Sequence, residues 1–371
     1  MQPKDEAELA QIIAARNAPV WIAGGGTCGS VPEGVERLDT AGLSGITLYE
    51  PGALTLVAKA GTPLFEIEAA LDAEGQRLAF EPWDARRLMG AGGAPTIGGV
   101  VAMNASGPRR IAVGAMRDFM LGVRFVDGMG QVLKNGGRVM KNVTGYDLVK
   151  LMTGSRGALG VLTEVSLKVL PRPEAAGTVL IDGLSDPDAV RAMSAALTSP
   201  YEVTGAAHMP QGPGGTPLTL IRVEGFETQV TYRTGALQAL LAEFPHVRVE
   251  TDPDVTAALW AGVRDAAPFH AREGDVWRIS CKPSDGPDLG ARAQAQGLLY
   301  DWGGGLIWAL VPSGTDLRAR LGAYDGHATR VRGGGDGIPN LQPEPPALAA
   351  LTEGLRAKFD PKGLFNPGLM A

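Results

Sequence analysis

Apolar and polar positions follow one another along this chain in two textures. Up to about residue 173, apolar residues come in short runs that end on glycine. From Ala175 onward, strand-like runs alternate with longer stretches at helical spacing. In the first texture, Leu9, Ile12 and Ile13 predict a helix over Glu6–Arg16, with Asp5 as its cap. Strands follow at Val20–Ala23 and Leu54–Ala60. Thr62 is placed to cap a second helix that opens on Pro63, buries Leu64, Ile67 and Leu71, and stops at Gly75. Leu78–Pro82 comes next, and Leu121–Asp127 with Gln131–Leu133 reads as a hairpin across Gly128-Met129-Gly130. One short helix is expected within 141–152, and a strand over Val161–Leu170.

The second texture predicts strands at Thr178–Ile181, Leu218–Glu224, Val247–Glu250, Val276–Cys281, Leu306–Val311 and Ala328–Val331. Helices are expected near 187–197, 228–243, 254–266, 285–296, 315–322 and 346–358. A ferredoxin-like arrangement of βαβ-type units over a second sheet fits this order. The fold class is α+β rather than a doubly wound parallel sheet, and no internal repeat is clear enough to argue from.

One stretch breaks the pattern. Ala91–Gly107 holds five glycines and four alanines and no charge. Such density disfavours a helix and packs a core strand poorly. It suits a backbone that approaches another object closely and offers it bare N–H groups. A tight crossing of backbones is the other reading. Two further glycine stretches, Ala23–Ser30 and Gly154–Gly160, favour a phosphate-bearing cofactor. Gly24, Gly26 and Gly29 spell the dinucleotide fingerprint after a strand, but Ser30-Val31-Pro32-Glu33-Gly34 cannot open the helix that fingerprint needs. What survives is a glycine nest with the Thr27 hydroxyl beside it.

Composition narrows the function. A net charge of −6 without a long basic run argues against nucleic acid. No apolar run is long enough to span a bilayer, and the opening residues lack a signal-peptide pattern. The two cysteines, Cys28 and Cys281, and the four scattered histidines, His208, His246, His270 and His327, build no metal site, so no metal is expected. A cytoplasmic setting follows from the sparse cysteines. No Ser/His/Asp arrangement supports hydrolysis.

With these landmarks, the order AGGGT (23–27), PTIGGVVAMNASG (95–107), KNVTGYDLVKL (141–151), GSRGALGVLTEVSLKVLP (154–171) and FDPKGLFNPG (359–368) resembles the vanillyl-alcohol-oxidase/p-cresol-methylhydroxylase (PCMH-type) flavoproteins. Within them it is most similar to the FAD-binding subunits of bacterial glycolate oxidases. The resemblance implies a PCMH-type FAD-binding domain over 1–173, an α+β cap domain over 174–335 and a tail, 336–371, that returns to the FAD domain. It implies that Gly24, Gly25, Gly26 and Thr27 wrap the FAD pyrophosphate. Thr96, Ile97, Gly98, Gly99, Asn104, Ser106 and Gly107 would line pyrophosphate and flavin, with Pro82 at the adenine end. Gly157, Leu159, Gly160 and Val161 would close over the adenosine, and Asn366 would reach the flavin edge. No histidine in 91–110 offers covalent attachment, so the FAD is expected to be non-covalent.

Relatives that oxidise 2-hydroxy acids unaided resemble one another in a His-x-Gly-Asp-Gly-Asn-x-His segment. Here Val331–Pro339 reads VRGGGDGIP, without a histidine, and Leu369 stands where a basic residue is common. The resemblance therefore implies a subunit of a glycolate (2-hydroxy acid) dehydrogenase, which forms glyoxylate. A second, His-rich flavin subunit and an iron–sulfur subunit would pass electrons to the quinone pool at the inner face of the membrane. The alternative is a stand-alone FAD oxidoreductase on another small hydroxy acid or alcohol. Arg109 and Tyr146 are then the substrate-proximal candidates, with Arg110, Arg117 and Lys141 as further cations. Asp147 is expected to cap a helix, and Trp302 and Trp308 to lie in the core. A scaffold with a degenerate flavin pocket is a third reading, against which the intact glycine loops count.

Overall fold

The structure is a computed structural model that describes residues 1–29, 31–138 and 145–369. Lys141 and most of the KNVTGYD motif lie outside the described residues. Two compact units divide the chain: Met1–Ser106 with Gly114–Arg172 and Pro343–Ala371, and Gly107–Val113 with Pro173–Gln342.

The first unit begins with α1 (Glu6–Ala15), whose cap is Asp5: its carboxylate accepts from Glu8 N, while Leu9 and Ile13 turn inward. Strands β1 (Val20–Ala23) and β2 (Glu36–Asp39) pair in parallel, so a connection rather than a hairpin joins them. β3 (Ile46–Glu50) and β4 (Thr55–Lys59) precede α2 (Leu64–Ala73) and the short β5 (Gln76–Arg77). Pro63 takes the cap position of α2. Thr62, expected there, instead donates from Oγ1 to Lys59 O at 2.7 Å and accepts from Gly45 N at 3.0 Å. Leu78–Pro82 follows β5 and forms no regular strand.

Helices α3 (Arg86–Met89) and α4 (Ile97–Met103) come next, with α5 (Arg110–Val113) assigned to the second unit. β6 (Met120–Val126) and β7 (Val132–Gly136) form the predicted hairpin. They are followed by α6 (Leu148–Met152), capped by Asp147 as expected, then β8 (Val161–Lys168) and β9 (Leu170–Pro171). The main sheet is antiparallel in the order β3-β4-β8-β6-β7. A core of Leu9, Ile13, Val20, Leu38, Val126, Val161, Leu364 and Phe365 ties α1, the β1–β2 pair and the tail together. Each such side chain contributes about 1.5–3 kcal/mol on burial.

The second unit runs β10 (Ala175–Asp182), α7 (Asp186–Leu197), β11 (Val203–Met209), β12 (Leu218–Gly225), α8 (Glu227–Leu240) and β13 (Val247–Glu250). After α9 (Pro253–Arg264) the same order returns as β14 (Asp275–Ser280), α10 (Gly286–Ala293), β15 (Gly297–Asp301), β16 (Leu306–Val311), α11 (Leu317–Leu321) and β17 (His327–Arg332). α12 (Pro346–Phe359) then belongs to the first unit. All eight strands form one antiparallel sheet, ordered β13-β10-β12-β11-β15-β16-β14-β17. Each half is thus a ferredoxin-like βαββαβ unit, and the halves join where β11 pairs with β15 at His208 and Tyr300. The expected ferredoxin-like arrangement is present, as two βαββαβ halves of one sheet.

Candidate functional site

The glycine nest follows directly from β1. Thr40 Oγ1 donates to Ala23 O at 3.2 Å and fixes the end of that strand. Beyond it, Gly24–Gly25 lies on the backbone of 93–96. A Cβ at Gly25 would stand 1.5 Å from Ala94 O, one at Gly93 1.6 Å from Gly25 O, and one at Gly24 2.3 Å from Thr96 Oγ1. Gly26 turns the chain through φ 68°, where a Cβ is disfavoured. Among the described residues, nothing accepts a hydrogen bond from the N–H groups of Gly25, Gly26 or Thr27. No helix opens over 31–35, so the nest stands without the dinucleotide helix.

The stretch 91–107 resolves into three uses of glycine. Gly93 serves a backbone crossing with Gly25. Gly98 lets α4 lie against β4 and the turn after it, because a Cβ there would come within 2.7 Å of Ala60. Gly99 is different: its Cβ would meet only Thr96 Oγ1, at 3.4 Å, so that flank of α4 stays open. The expectation that this stretch avoids helix is overturned, since Ile97–Met103 is helical. Thr96 caps it by accepting from Gly99 N at 3.3 Å. Ile97 N and Gly98 N donate to Thr62 O and Ala60 O, so these amides are already spent inside the protein. What α4 offers a ligand is its open glycine flank.

The C-terminal end of α4 is locked by polar side chains. Asn104, left-handed with φ 48°, accepts from Arg117 N at 3.0 Å. Ser106 is buried, accepts from Met116 N and donates to Asn104 O. Gly107 falls in the second unit, where its carbonyl accepts from Trp302 Nε1 at 3.1 Å. Pro82 is buried in the segment ahead of Asp84, which pairs with Arg86 and lies within electrostatic reach of Cys28.

The loop 154–160 and the tail meet on β1, the strand that leads into the nest. Asn366 is buried, its Oδ1 accepting from Ile22 N and its Nδ2 donating to Arg156 O, each at 2.6 Å. Its own N–H donates to Val20 O, and Leu364 O accepts from Val20 N. The tail therefore pairs along the edge of β1 at Val20. A Cβ at Gly157 would strike Asn366 Nδ2 at 2.8 Å, and one at Gly160 the Phe125 ring at 2.9 Å. Leu159 and Val161 are buried. The structure thus brings Gly24 and Gly25 against 94–96 just beyond β1, and Gly157 and Asn366 against Ile22 within β1. Sequence reasoning passed over Arg156, whose only signal was a cation inside a glycine loop.

The substrate candidates have other commitments. Arg109 makes a two-pronged ion pair with the buried Glu224, both contacts at 2.7 Å. A substrate carboxylate would have to displace Glu224. Tyr146 is 88% exposed. Arg110 lies 4.6 Å over the Trp302 ring and Arg278 stacks over both Trp302 and Trp308; desolvation first, then the charges of Arg278 and Arg110, lower the pKa of the His327 imidazole. Trp308 is buried as expected. His208 is buried against Thr219 and Asp186, and His270 bonds to Asp265 O.

In the 331–339 segment, buried Arg330 forms ion pairs with Asp336 at 2.5 Å and Asp275 at 3.4 Å. It also donates to Asn340 Oδ1 and Ile338 O. This ionic clasp holds the GGGDG turn.

The family described as “FAD binding domain” matches residues 1–136. The glycolate oxidase subunit GlcE of Escherichia coli is 37% identical over 90% of this chain and 87% of its own length. Glycolate oxidase subunit GlcD of Bacillus subtilis (30% identical) and D-lactate dehydrogenase of Anaerostipes hadrus (38%) match over 48% and 31% of this chain. These two alignments span 38% and 23% of the relatives' lengths. Among solved structures, an alkyldihydroxyacetonephosphate synthase shares the fold, with TM-score 0.71 at 16% identity over 98% of this chain and 75% of that one. A nest of unengaged amides, a crossing that excludes side chains and an open helix flank are what a bound diphosphate and ring system require. The chain belongs to the PCMH-type FAD-binding flavoproteins, the family that includes glycolate oxidase subunit GlcE.

Proposed function

We propose that this chain is the FAD-binding subunit of a multi-subunit glycolate (2-hydroxy acid) dehydrogenase that yields glyoxylate. The observation that carries this reading is the 37% identity to GlcE along nearly the whole of both chains. When bound, FAD supplies two-electron redox chemistry at its flavin ring. The residues here bind and orient it. N–H groups of Gly25, Gly26 and Thr27 donate to the diphosphate, and Gly24 lets the nest seat on Thr96. The open flank of α4 at Gly99 admits the ring system. Asn104 and Ser106 hold the far end of that helix in place. Pro82 and the Gly157–Val161 loop border the adenosine, and Asn366 fixes the loop to β1. Charge-assisted hydrogen bonds from amides suit two buried negative charges.

Oxidising a 2-hydroxy acid needs a base for the hydroxyl proton, and losing a positioned base costs about 10²–10⁴-fold in rate. The segment comparable to the His-rich motif of the resembling relatives is held here by Arg330 and its two aspartates. This favours a chain that depends on partners: a His-rich flavin subunit that supplies the base, and an iron–sulfur subunit that passes electrons to the quinone pool. The chain would then work on the cytoplasmic side of the cell membrane. Arg109 and Tyr146 give the stand-alone alternative little support, because one is bound to Glu224 and the other faces solvent. Co-expression with and without candidate partner chains, followed by glycolate-dependent dye reduction, tests the proposal. Activity confined to the assembled complex is the expected result.

A further inference from the structure

Arg156 takes the left-handed conformation, φ 54°, inside a glycine-flanked loop. That geometry disfavours a residue with a long side chain and is usually left to glycine, asparagine or aspartate. The backbone is held there from three directions. Its N–H donates to Ala102 O at 2.9 Å, its carbonyl accepts from Asn366 Nδ2, and the neighbouring Gly157 would place a Cβ 3.3 Å from Ile22 Cδ1. Arg156 is thereby fixed beside β1, just upstream of the nest.

Its guanidinium is half-buried, and among the described residues it makes no hydrogen bond or ion pair. Burial lowers its pKa from the usual arginine value, and the Cys28 thiol at the far end of the nest is within electrostatic reach. The other arginines close to the nest are compensated: Arg37 pairs with Asp39 at 2.8 Å and Arg86 with Asp84 at 2.6 Å. A half-buried cation without a carboxylate, on a disfavoured backbone, is costly twice over. An anion arriving with a ligand offsets both costs, and a guanidinium fork matches phosphate oxygens in geometry as well as charge.

We propose that Arg156 is the side chain that binds the FAD diphosphate, its guanidinium closing on phosphate oxygens held from the other side by the amides of Gly25–Thr27. This rests on the reading of Gly24–Thr27 as the diphosphate site. It adds a charged, specificity-determining contact to a site otherwise built from backbone. The role is binding rather than catalytic, since no reacting atom is involved.

The test compares wild type with Arg156→Asn, whose side chain tolerates the left-handed backbone, and Arg156→Lys, which keeps the charge without the fork. Apoprotein is titrated with FAD by flavin fluorescence and with ADP by calorimetry, and its melting temperature is recorded. The Kd for both ligands should rise at least tenfold in Arg156→Asn and recover in part in Arg156→Lys. The apoprotein melting temperature should be unchanged or higher, and binding should depend less steeply on salt. Equal affinities in wild type and Arg156→Asn would overturn the proposal and leave the nest reading standing. Failure of wild type to bind either ligand would overturn both. Weaker binding accompanied by a lower apoprotein melting temperature, unrelieved by Arg156→Lys, would make Arg156 a packing residue and also overturn it.

Discussion

Asn366 does more for the candidate site than any glycine around it. Its amide satisfies two half-buried backbone groups, Ile22 N and Arg156 O, at once. A typical intramolecular hydrogen bond contributes about 0.5–1.5 kcal/mol net. Asn366→Ala should therefore lower apoprotein stability by roughly 1–3 kcal/mol in urea denaturation, and weaken FAD binding with it. Gly99→Val is expected to act the other way round. Its new side chain meets little protein, so stability should hold while FAD binding is lost, because the side chain fills the flank the cofactor needs. A Cβ at Gly235, in α8, would meet nothing within 4 Å, so Gly235→Val serves as the control that keeps flavin. Flavin absorbance after gel filtration distinguishes them, and full occupancy in Gly99→Val would sink the assignment of that flank. The glycine density at 91–107 was legible as close approach. Which glycine served a crossing and which a ligand was not, because the crossing partner, Gly25, lies far away in sequence.

At the scale of elements, the sequence pattern located most strands and helices but missed β2, β3 and β5 in the first unit and β11 and β15 in the second. β11 reads VTGAAHM, and small residues with a buried histidine carry no strand pattern. β15 is a short strand between a helix end and a glycine turn. These are the two strands that join the halves of the second sheet, so the doubled βαββαβ order stayed hidden. The helix α4 was hidden for the opposite reason: low intrinsic propensity was overridden by its Thr96 cap and its packing at Gly98.

Two ion pairs in the second unit yield predictions. Arg109→Met would remove the two-pronged pair from buried Glu224, which keeps Arg222 at 3.6 Å. It should cost about 3 kcal/mol, the lower end for breaking a buried pair, read as a fall in the denaturation midpoint. Asp336 is held down to about 2 by its hydrogen bond from Arg330. A depressed carboxylate contributes stability that is complete above its unfolded value and is lost as pH falls through the folded one. Wild type should therefore lose this contribution between about pH 4 and pH 2, and Asp336→Asn should lack that part of the acid dependence. Parallel stability–pH curves for the two proteins over this window would contradict it.

For the whole molecule, the resemblance to a flavoprotein family was legible because five motifs recur in fixed order. The likeness to GlcE agrees with it. The proposed dependence on partners rests on one replacement: an Arg330 clasp stands where the resembling relatives carry a histidine-rich segment. The purified chain should be yellow and should release FAD intact on acid denaturation. FAD that stays on the polypeptide would contradict non-covalent binding.

The most direct measurement is dye reduction by the isolated, FAD-replete chain, with glycolate and D-lactate as substrates. The account predicts turnover lower by at least about 10² than ordinary enzyme rates, with activity appearing when partner chains are added. Turnover on the order of 10 s⁻¹ by the chain alone, lost in His327→Ala, would contradict it and place a base beside Arg110 and Arg278.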